Sequence, residues 1–209
     1  AGIFTHFSSS DSAEEDQFTK NQGATFDAAY EKIASAIGYR PLKHAVNSAG
    51  IARWPEFHYD MVRLGIGLYG FDSTKEVSGL RPISQLKTKI SQIKRVKAGD
   101  SIGSSRKGIA PKDSLIATIA IGYADGYTRL FGNGIAYVMV NDQKAYTIGN
   151  ICMDMTMIDV TDLEASEGDE VIVFGSNPTI EDLALWSQTI PYEILTNVSQ
   201  RVKRIFVSE

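Results

Sequence analysis

The chain has 209 residues, with 21 Lys and Arg against 25 Asp and Glu, and its formal net charge at pH 7 is −4. A mildly acidic surface repels phosphate backbones, so nucleic acid is not an expected partner. The single cysteine excludes an internal disulfide and favours a reducing compartment. No apolar run approaches the ~20 residues needed to cross a bilayer, and the N-terminus lacks the features of a signal peptide. The composition therefore predicts a cytoplasmic globular protein, or a piece of one.

The first 72 residues alternate strand and helix signals. In chain order, the patterns predict a strand at 2–7, a helix from about residue 13 to a stop at Gly38, a strand at 42–47, a turn or short helix at 48–53 and a strand at 60–65. Two strands separated by such a helix are typical of a parallel pair. Parallel strands need cover on both faces, and one long helix cannot supply it. This region is therefore expected to be part of a larger fold.

The remainder of the chain is predicted to be mainly β. Strands rich in Ile and Val are predicted at 84–97, 115–121, 135–140, 145–149, 155–160, 171–174 and 201–207, with a hairpin connection at 141–144 and helices at 179–187 and from Pro191 onward. The predicted fold class is thus α/β followed by mainly β. Two domains are expected, at residues 1–72 and 73–209.

Residues 65–70, Gly-Ile-Gly-Leu-Tyr-Gly, match the G-x-G-x-x-G pattern of dinucleotide-binding folds. That fingerprint needs a helix directly after it, and residues 72–82 are instead predicted to be loop, so the dinucleotide interpretation is rejected. The glycines still let backbone N–H groups approach an anion. A phosphate site and a plain tight turn both remain open.

Two side chains near the ends of predicted strands are candidates for function. Ser48 follows the second strand, where α/β folds bind ligands, although a helix N-cap would explain it as well. Arg63 lies in an apolar run, where a buried guanidinium costs free energy unless it is paired and hydrogen-bonded. The alternative to a functional Arg63 is a structural salt bridge with Asp60 or Asp72.

The remaining reactive side chains give weak signals. The histidines, His6, His44 and His58, lack metal-ligand spacing, so no metal site is predicted. Cys152 is interpreted as a core residue rather than a nucleophile. The basic residues between 87 and 97 are interpreted as the solvated face of a strand.

Several short segments, in their order, resemble the alanine racemases, pyridoxal-phosphate enzymes of fold type III that interconvert L- and D-alanine. These segments are 5–7 (Thr-His-Phe), 44–48, 61–66, 121–126 (Ile-Gly-Tyr-Ala-Asp-Gly), 149–154 and 191–193 (Pro-Tyr-Glu). Together they extend over nearly the whole chain. The resemblance implies the last βα units of a TIM-like barrel that binds the cofactor, followed by a C-terminal β domain. In the implied homodimer, that domain caps the barrel of the other subunit.

The resemblance also implies roles for single residues. The implied cofactor-binding residues are His6, Ser48, Arg63, Gly65, Ile66 and Tyr192, with His44 behind the arginine and with Tyr123 and Met153 at the substrate bound by the other subunit. Arg63 is implied to face the pyridine nitrogen. A permanent cation there disfavours protonation of the ring nitrogen and so limits the ring as an electron sink. Return of the proton is then favoured over side reactions.

Two departures from the family pattern bear on activity. A full barrel takes ~250 residues, and the family's cofactor-holding lysine lies in an N-terminal segment that this sequence does not contain. The family's second base is a tyrosine, and Ser104 stands at that position. An aliphatic hydroxyl is a far weaker acid than a phenol with pKa ~10. The 209-residue chain alone is therefore expected not to racemise alanine, whereas the complete enzyme would supply D-alanine for the cell wall.

Three alternatives remain open at this point. A related racemase or decarboxylase for serine, lysine or ornithine would keep the cofactor residues and change the channel around Tyr123, Met153 and Ile190. A non-catalytic binding or interaction module would explain Ser104. A folding fragment without a function of its own is the third.

Overall fold

The protein, described here by a computed structural model of residues 1–207, divides into two compact units, one of residues Ala1–Ile83 and one that begins at Ser84. Each unit has its own hydrophobic cluster. Within residues 1–207, no helix combines the length and the apolar character that crossing a membrane requires.

The first unit contains two parallel strands and one long helix. Its elements are β1 (Gly2–Phe4), α1 (Asp16–Ile37), β2 (Leu42–His44) and α2 (Ser48–Arg53), with 3-10 turns at Ala13–Glu15, Pro55–Phe57 and Ile66–Tyr69. β1 and β2 pair in parallel, with Gly2 opposite Leu42, as predicted. Helix α1 ends where predicted, because Gly38 adopts the left-handed conformation (φ 79°) that favours glycine.

The core of the first unit is aromatic. Helix α1 buries Phe26 and Tyr30 on the side that packs toward the strands. Phe26 joins Phe7, Val46 and Trp54 in one cluster, and α1 thereby covers one side of the β1–β2 pair. This packing fixes the two strand ends from which the candidate site residues project.

The predicted third strand at 60–65 is wrong. Only Met61 forms a bridge there, in parallel with His44, and the Arg63 N–H then donates to the carbonyl of Val46 at 3.1 Å. Met61 and Leu64 are exposed. The Asp60 N–H donates to the carbonyl of Lys43, so the segment follows β2 and its continuation through isolated hydrogen bonds without forming a regular ladder.

The second unit is built on a six-stranded antiparallel sheet. Its elements are β3 (Leu86–Val96), β4 (Ser101–Ile102), β5 (Gly108–Ile109), β6 (Ser114–Ile119), β7 (Tyr137–Val140), β8 (Gln143–Tyr146), β9 (Thr156–Asp159), β10 (Glu170–Phe174), α3 (Ile180–Trp186) and α4 (Pro191–Thr196), with 3-10 turns at Ser104–Arg106, Tyr123–Asp125 and Arg129–Phe131. The strand order is β8-β7-β10-β3-β6-β9. A bridge between Thr147 and Ile158 links the two outer strands, so the sheet curls toward a barrel.

The core of the barrel-like sheet contains apolar side chains from every main strand, among them Ile90, Ile119, Val138, Val140, Ile158 and Val171. The predicted hairpin between β7 and β8 is present. Its turn is made by Asn141 and Asp142, both at positive φ (47° and 61°), the conformation that two-residue hairpin turns require. The strand β8 therefore begins at Gln143, earlier than predicted.

Two features of the second unit differ from the predictions. The short pair β4–β5 was not predicted, because strands of two residues carry no alternation to detect. The predicted strand at 201–207 is absent. There the guanidinium of Arg204 donates to the carbonyls of Val198 and Val202, which curls the segment, and Phe206 is 95% exposed.

Gly23 lies inside α1, where glycine normally weakens a helix relative to alanine. A Cβ at this position would lie 2.4 Å from Cζ of Phe57, whose ring packs against Phe7 and Trp54 and cannot withdraw freely. We expect Gly23→Ala to lower the free energy of unfolding by about 1–3 kcal/mol, the usual cost of overpacking. Urea unfolding followed by circular dichroism measures it.

The matched control is Ser35→Ala, an exposed position of the same helix. Without a steric conflict, alanine should stabilise the helix there by up to about 0.5 kcal/mol. Stabilisation of similar size by Gly23→Ala would show that Phe57 does not restrict this position.

Candidate functional site

Ser48 begins helix α2 but does not cap it, so the N-cap interpretation of this residue is wrong. Asn47 is the N-cap, and its Oδ1 accepts the N–H of Gly50 at 2.9 Å. The hydroxyl of Ser48 is turned instead toward the glycine segment, where Oγ accepts the N–H of Gly65 at 2.9 Å and that of Gly67 at 3.1 Å. The end of β2 and the glycine segment are thus joined through one side chain.

The joined segment has the chemistry of an anion site. A hydroxyl that accepts two N–H groups keeps its own hydrogen, which it can donate to a further acceptor. A Cβ on Gly67 would lie 3.0 Å from Leu64 and 3.5 Å from Ser48 Oγ, so a side chain there would crowd the serine. Ile66 is buried between the two glycines. Loop rather than helix follows Gly70, as predicted.

Arg63 lies beside the carboxyl ends of β1 and β2 and is held by neutral acceptors. Its Nη1 donates to His44 Nδ1 at 3.0 Å, and its Nη2 donates to His6 Nδ1 at 3.1 Å. Nη2 also donates to the carbonyls of Thr5 (3.2 Å) and Ala45 (2.8 Å).

The predicted alternative, a salt bridge to Asp60 or Asp72, is wrong. The Asp60 carboxylate accepts the N–H of Lys43, and that of Asp72 accepts from Thr74 and Val77. Among residues 1–207, no carboxylate lies within ion-pair distance of the Arg63 guanidinium.

These contacts define which ring nitrogen of each histidine accepts. A guanidinium has donors only, so the Nδ1 atoms of His6 and His44 must accept, and each neutral ring carries its proton on Nε2. Burial, and then the positive charge of Arg63, lower the pKa of His44. Burial also lowers the pKa of Arg63.

Phe4 completes this group, and the sequence patterns did not single it out. Its ring stacks on that of His44 with 5.2 Å between centroids and 11° between planes, and Arg63 lies 5.2 Å from the same ring. The available signal was its position at the end of β1, two residues before His6, because alternate residues of an extended chain point to the same face.

Tyr123 and Met153 lie side by side in the second unit. The Tyr123 N–H donates to the carbonyl of Cys152, and the Ala124 N–H donates to that of Met153, both at 3.0 Å. The side chains of Tyr123 and Met153 are both exposed. Cys152 is half-buried, with Sγ 3.8 Å from the carbonyl of Asn150.

Ser104 begins a strained turn. Gly103 before it has φ 75°, and Ser105 and Arg106 after it have φ 60° and 54°, in the region that non-glycine residues rarely adopt. The side chain of Asn150 donates to the Ser104 carbonyl at 3.0 Å and holds the turn. Position 104 is exposed.

The predicted site residues are therefore distributed over both units. The first unit brings together His6, His44, Ser48, Arg63, Gly65 and Ile66. The second unit carries Ser104, Tyr123 and Met153, as well as Tyr192 in the first turn of α4. In the part of the chain that the structure describes, no cluster of His, Cys, Asp or Glu is arranged to hold a metal ion.

Comparison with known proteins matches both units. The family model for the alanine racemase N-terminal domain matches residues 1–73, and that for the alanine racemase C-terminal domain matches residues 83–206. Alanine racemase 1 of Clostridium acetobutylicum is 39% identical over 215 residues, which cover 99% of this chain and 55% of the relative. The chain thus spans about half the length of the curated relatives it matches.

Solved structures give the same result. The alanine racemase of Bacillus anthracis with bound L-Ala-P is similar with a TM-score of 0.89 and 32% identity, over 100% of this chain and 55% of that one. The alanine racemase of Bartonella henselae with covalently bound pyridoxal phosphate has a TM-score of 0.85 and 32% identity, over 99% and 56%. The predicted fold class and the predicted resemblance are confirmed. The C-terminal model alone matches more than half of the residues, and the chain belongs to the alanine racemase family.

Proposed function

We propose that this chain is the C-terminal portion of a pyridoxal-phosphate-dependent alanine racemase. Two neighbouring features carry the proposal. The Ser48 hydroxyl is bonded to the Gly65 and Gly67 N–H groups and keeps its own hydrogen to donate. Arg63 is bonded to neutral acceptors at the ends of β1 and β2, and no carboxylate of residues 1–207 lies within ion-pair distance of it. The relatives from Clostridium, Bacillus and Bartonella support the assignment.

The donors present fit pyridoxal phosphate. Its phosphate is a strong acceptor, and the Ser48 hydroxyl, which accepts the Gly65 and Gly67 N–H groups, still has its own hydrogen to donate. We assign the backbone at Gly65 and Ile66 to the same site through the family resemblance. We assign Tyr192 to the same set through the family resemblance, and His6 to the side of Arg63. When bound, the cofactor supplies an electron-withdrawing ring that acidifies the α-C–H bond of an amino acid.

Arg63 has the role of setting the charge at the ring nitrogen. A guanidinium stays protonated at every relevant pH, so it disfavours a second positive charge close to it. His44 and His6 hold Arg63 through their Nδ1 atoms without adding charge, and His44 acts behind the arginine. This arrangement favours return of the α-proton over reactions that need a protonated ring.

We assign Tyr123 and Met153 to contact with the substrate. Both are exposed on adjacent loops, as expected of residues that reach the active site of the other subunit in a homodimer. Alanine is the substrate we assign, and the bound L-Ala-P of the Bacillus anthracis relative supports it. We place the enzyme in the cytoplasm, with supply of D-alanine for the cell wall as its role.

Ser104 occupies the position of the base that would move the proton on the L side. Its hydroxyl is too weak an acid and a ring too short for that task. The lysine that would serve the D side has no assigned counterpart in this sequence. We therefore infer that the 209-residue chain alone binds the cofactor but does not racemise alanine.

Ser48→Ala tests the phosphate assignment. Loss of the hydroxyl removes one donor to the phosphate and leaves two N–H groups without their acceptor. The dissociation constant of pyridoxal phosphate from the 209-residue chain, measured by fluorescence titration, should rise about tenfold or more.

Ser12→Ala serves as the control, because the Ser12 side chain makes no capping hydrogen bond. Its affinity should equal that of the unchanged chain. Equal affinities for all three proteins, or no saturable binding at all, would contradict the cofactor site.

The neutral state of His44 predicts how stability depends on pH. Its folded pKa is below the ordinary value of 6.5, so between these two values the unfolded chain binds more protons than the folded one. The stabilisation from neutral His44 is therefore complete above 6.5 and is lost as the pH falls through the folded pKa. Urea midpoints at about pH 7.5 and about pH 5.5 measure the loss.

His44→Gln keeps an acceptor for Arg63 but cannot titrate, so its midpoint should change less between the two pH values. His58→Gln, which removes a histidine bonded to the carbonyl of Ile51 instead, should retain the full dependence. Identical pH dependence in His44→Gln and the unchanged chain would disprove the neutral-histidine arrangement.

Ser104→Tyr tests the missing base. In a longer protein that joins this chain to the N-terminal portion of the Clostridium acetobutylicum relative, the phenol should raise alanine racemisation ~100-fold or more, a usual size for a restored proton-transfer group. Ser104→Phe supplies the ring without the hydroxyl and should stay at the starting rate. Circular dichroism of the alanine product measures both, and equal rates for the two variants would exclude position 104 as the site of the base.

A further inference from the structure

Two loops of the second unit display the residues assigned to the substrate side. The tyrosine loop comprises residues 122–126 and the methionine loop residues 152–154. Each presents an exposed side chain, Tyr123 or Met153, that has no apolar cluster of its own to hold it. The relative position of these two side chains therefore depends on how the two loops are held together.

The two loops are joined main chain to main chain. Besides the two N–H bonds from Tyr123 and Ala124, the backbone of Gly122 runs so close that a Cβ there would lie 2.3 Å from the Cys152 carbonyl oxygen and 2.5 Å from that of Met153. Only glycine allows this approach. The contact between the two loops is nevertheless small, since it contains two hydrogen bonds at an exposed edge.

Arg201 binds both loops at once from a third segment. Its Nε donates to Asp125 Oδ1 at 2.7 Å, and its Nη2 donates to Asp154 Oδ1. Asp125 is the more shielded of the two carboxylates, since its side chain is 14% exposed and that of Asp154 is 55% exposed. The other oxygen of Asp125 accepts the Gly122 N–H at 2.9 Å, so the carboxylate also closes its own loop.

The segment that carries Arg201 is itself fixed. The Ser199 N–H donates to the Asp125 carbonyl at 3.0 Å, and a Cβ on Gly126 would lie 2.3 Å from the Asn197 carbonyl oxygen. Arg204 donates to the carbonyls of Val198 and Val202 and so holds the segment in a curl. The main chain before Arg201 is therefore bonded directly to the tyrosine loop.

The electrostatics agree with this geometry. Burial alone would raise the pKa of the Asp125 carboxyl, but hydrogen bonds from Arg201 and from the Gly122 N–H, with the charge of Arg201, hold it below its ordinary value. The carboxylate thus remains ionised, and the charged pair is maintained near neutral pH.

We propose that Arg201 is a positioning residue, which clamps the tyrosine loop to the methionine loop and so fixes Tyr123 and Met153 relative to each other. The effect of this clamp on substrate binding rests on the proposed function. Arg201 acts through Asp125 and Asp154 and does not itself touch substrate. The planar guanidinium binds two carboxylates through different nitrogens. Lysine is a poor substitute, since its ammonium is a single point charge.

Amide hydrogen exchange in the 209-residue chain tests the clamp directly, because the Tyr123 and Ala124 amides make the two bonds between the loops. In Arg201→Gln, exchange at these amides should rise about tenfold or more, while exchange in the strands at Val138 and Ile158 stays unchanged. The methyl resonance of Met153 should shift and broaden. Arg201→Lys should restore part of the protection, and Asp154→Asn should lose less than Arg201→Gln.

Arg95→Gln is the matched control, since it removes the same charge from an exposed position of β3 that has no ion pair within residues 1–207. It should leave the Tyr123 amide and the Met153 methyl as they are. Unchanged exchange in Arg201→Gln would overturn the proposal. A uniform rise across the whole second unit would overturn it as well, because it would assign Arg201 to general stability.

The experiment uses no cofactor and reports on the second unit alone. Failure of the clamp would therefore leave the pyridoxal-phosphate assignment of Ser48 and Arg63 intact. Failure of cofactor binding would leave the exchange result intact. It would remove only the conclusion that the clamped loops contact the substrate.

Discussion

A guanidinium has hydrogen-bond donors and no acceptor, and the two terminal nitrogens of Arg63 bond only neutral groups, with no carboxylate of residues 1–207 within ion-pair distance. The carbonyls of Thr5 and Ala45 and the Nδ1 atoms of two histidines take that place. A carboxylate would have neutralised the arginine, whereas these acceptors orient it and leave its field intact. The aromatic core beneath α1 holds the short strands β1 and β2 side by side. The groups at their carboxyl ends can therefore all contact Arg63.

Much of the fold was predictable because its signals are local. Gly38 ends α1, and the Asn141–Asp142 turn joins β7 to β8, since both need conformations that few residues adopt. The failures depend on distant partners. Residues 60–65 have strand-like composition but share only one bridge and two main-chain hydrogen bonds with the β2 segment. Residues 201–207 curl through the contacts of Arg204, and most apolar side chains of both segments are exposed.

The candidate site divides in the same way. Patterns pointed to Ser48, Arg63 and the glycines, and the family resemblance supplied roles that spacing alone could not. The pattern offered Ser48 as the N-cap of α2, whereas Asn47 caps the helix and the Ser48 hydroxyl bonds the glycine segment. Arg201 escaped notice because it meets Asp125 from 76 residues away, a contact that the fold creates.

The two glycines that flank the tyrosine turn carry a lesson for protein engineering. A library meant to alter amino-acid preference would vary positions 123 and 153, whose side chains face outward and touch no core. It should leave positions 122 and 126 untouched, because each lies against a main-chain oxygen at a distance that admits hydrogen alone. A position open to change, 123, thus lies within one short loop between two positions, 122 and 126, that admit only glycine.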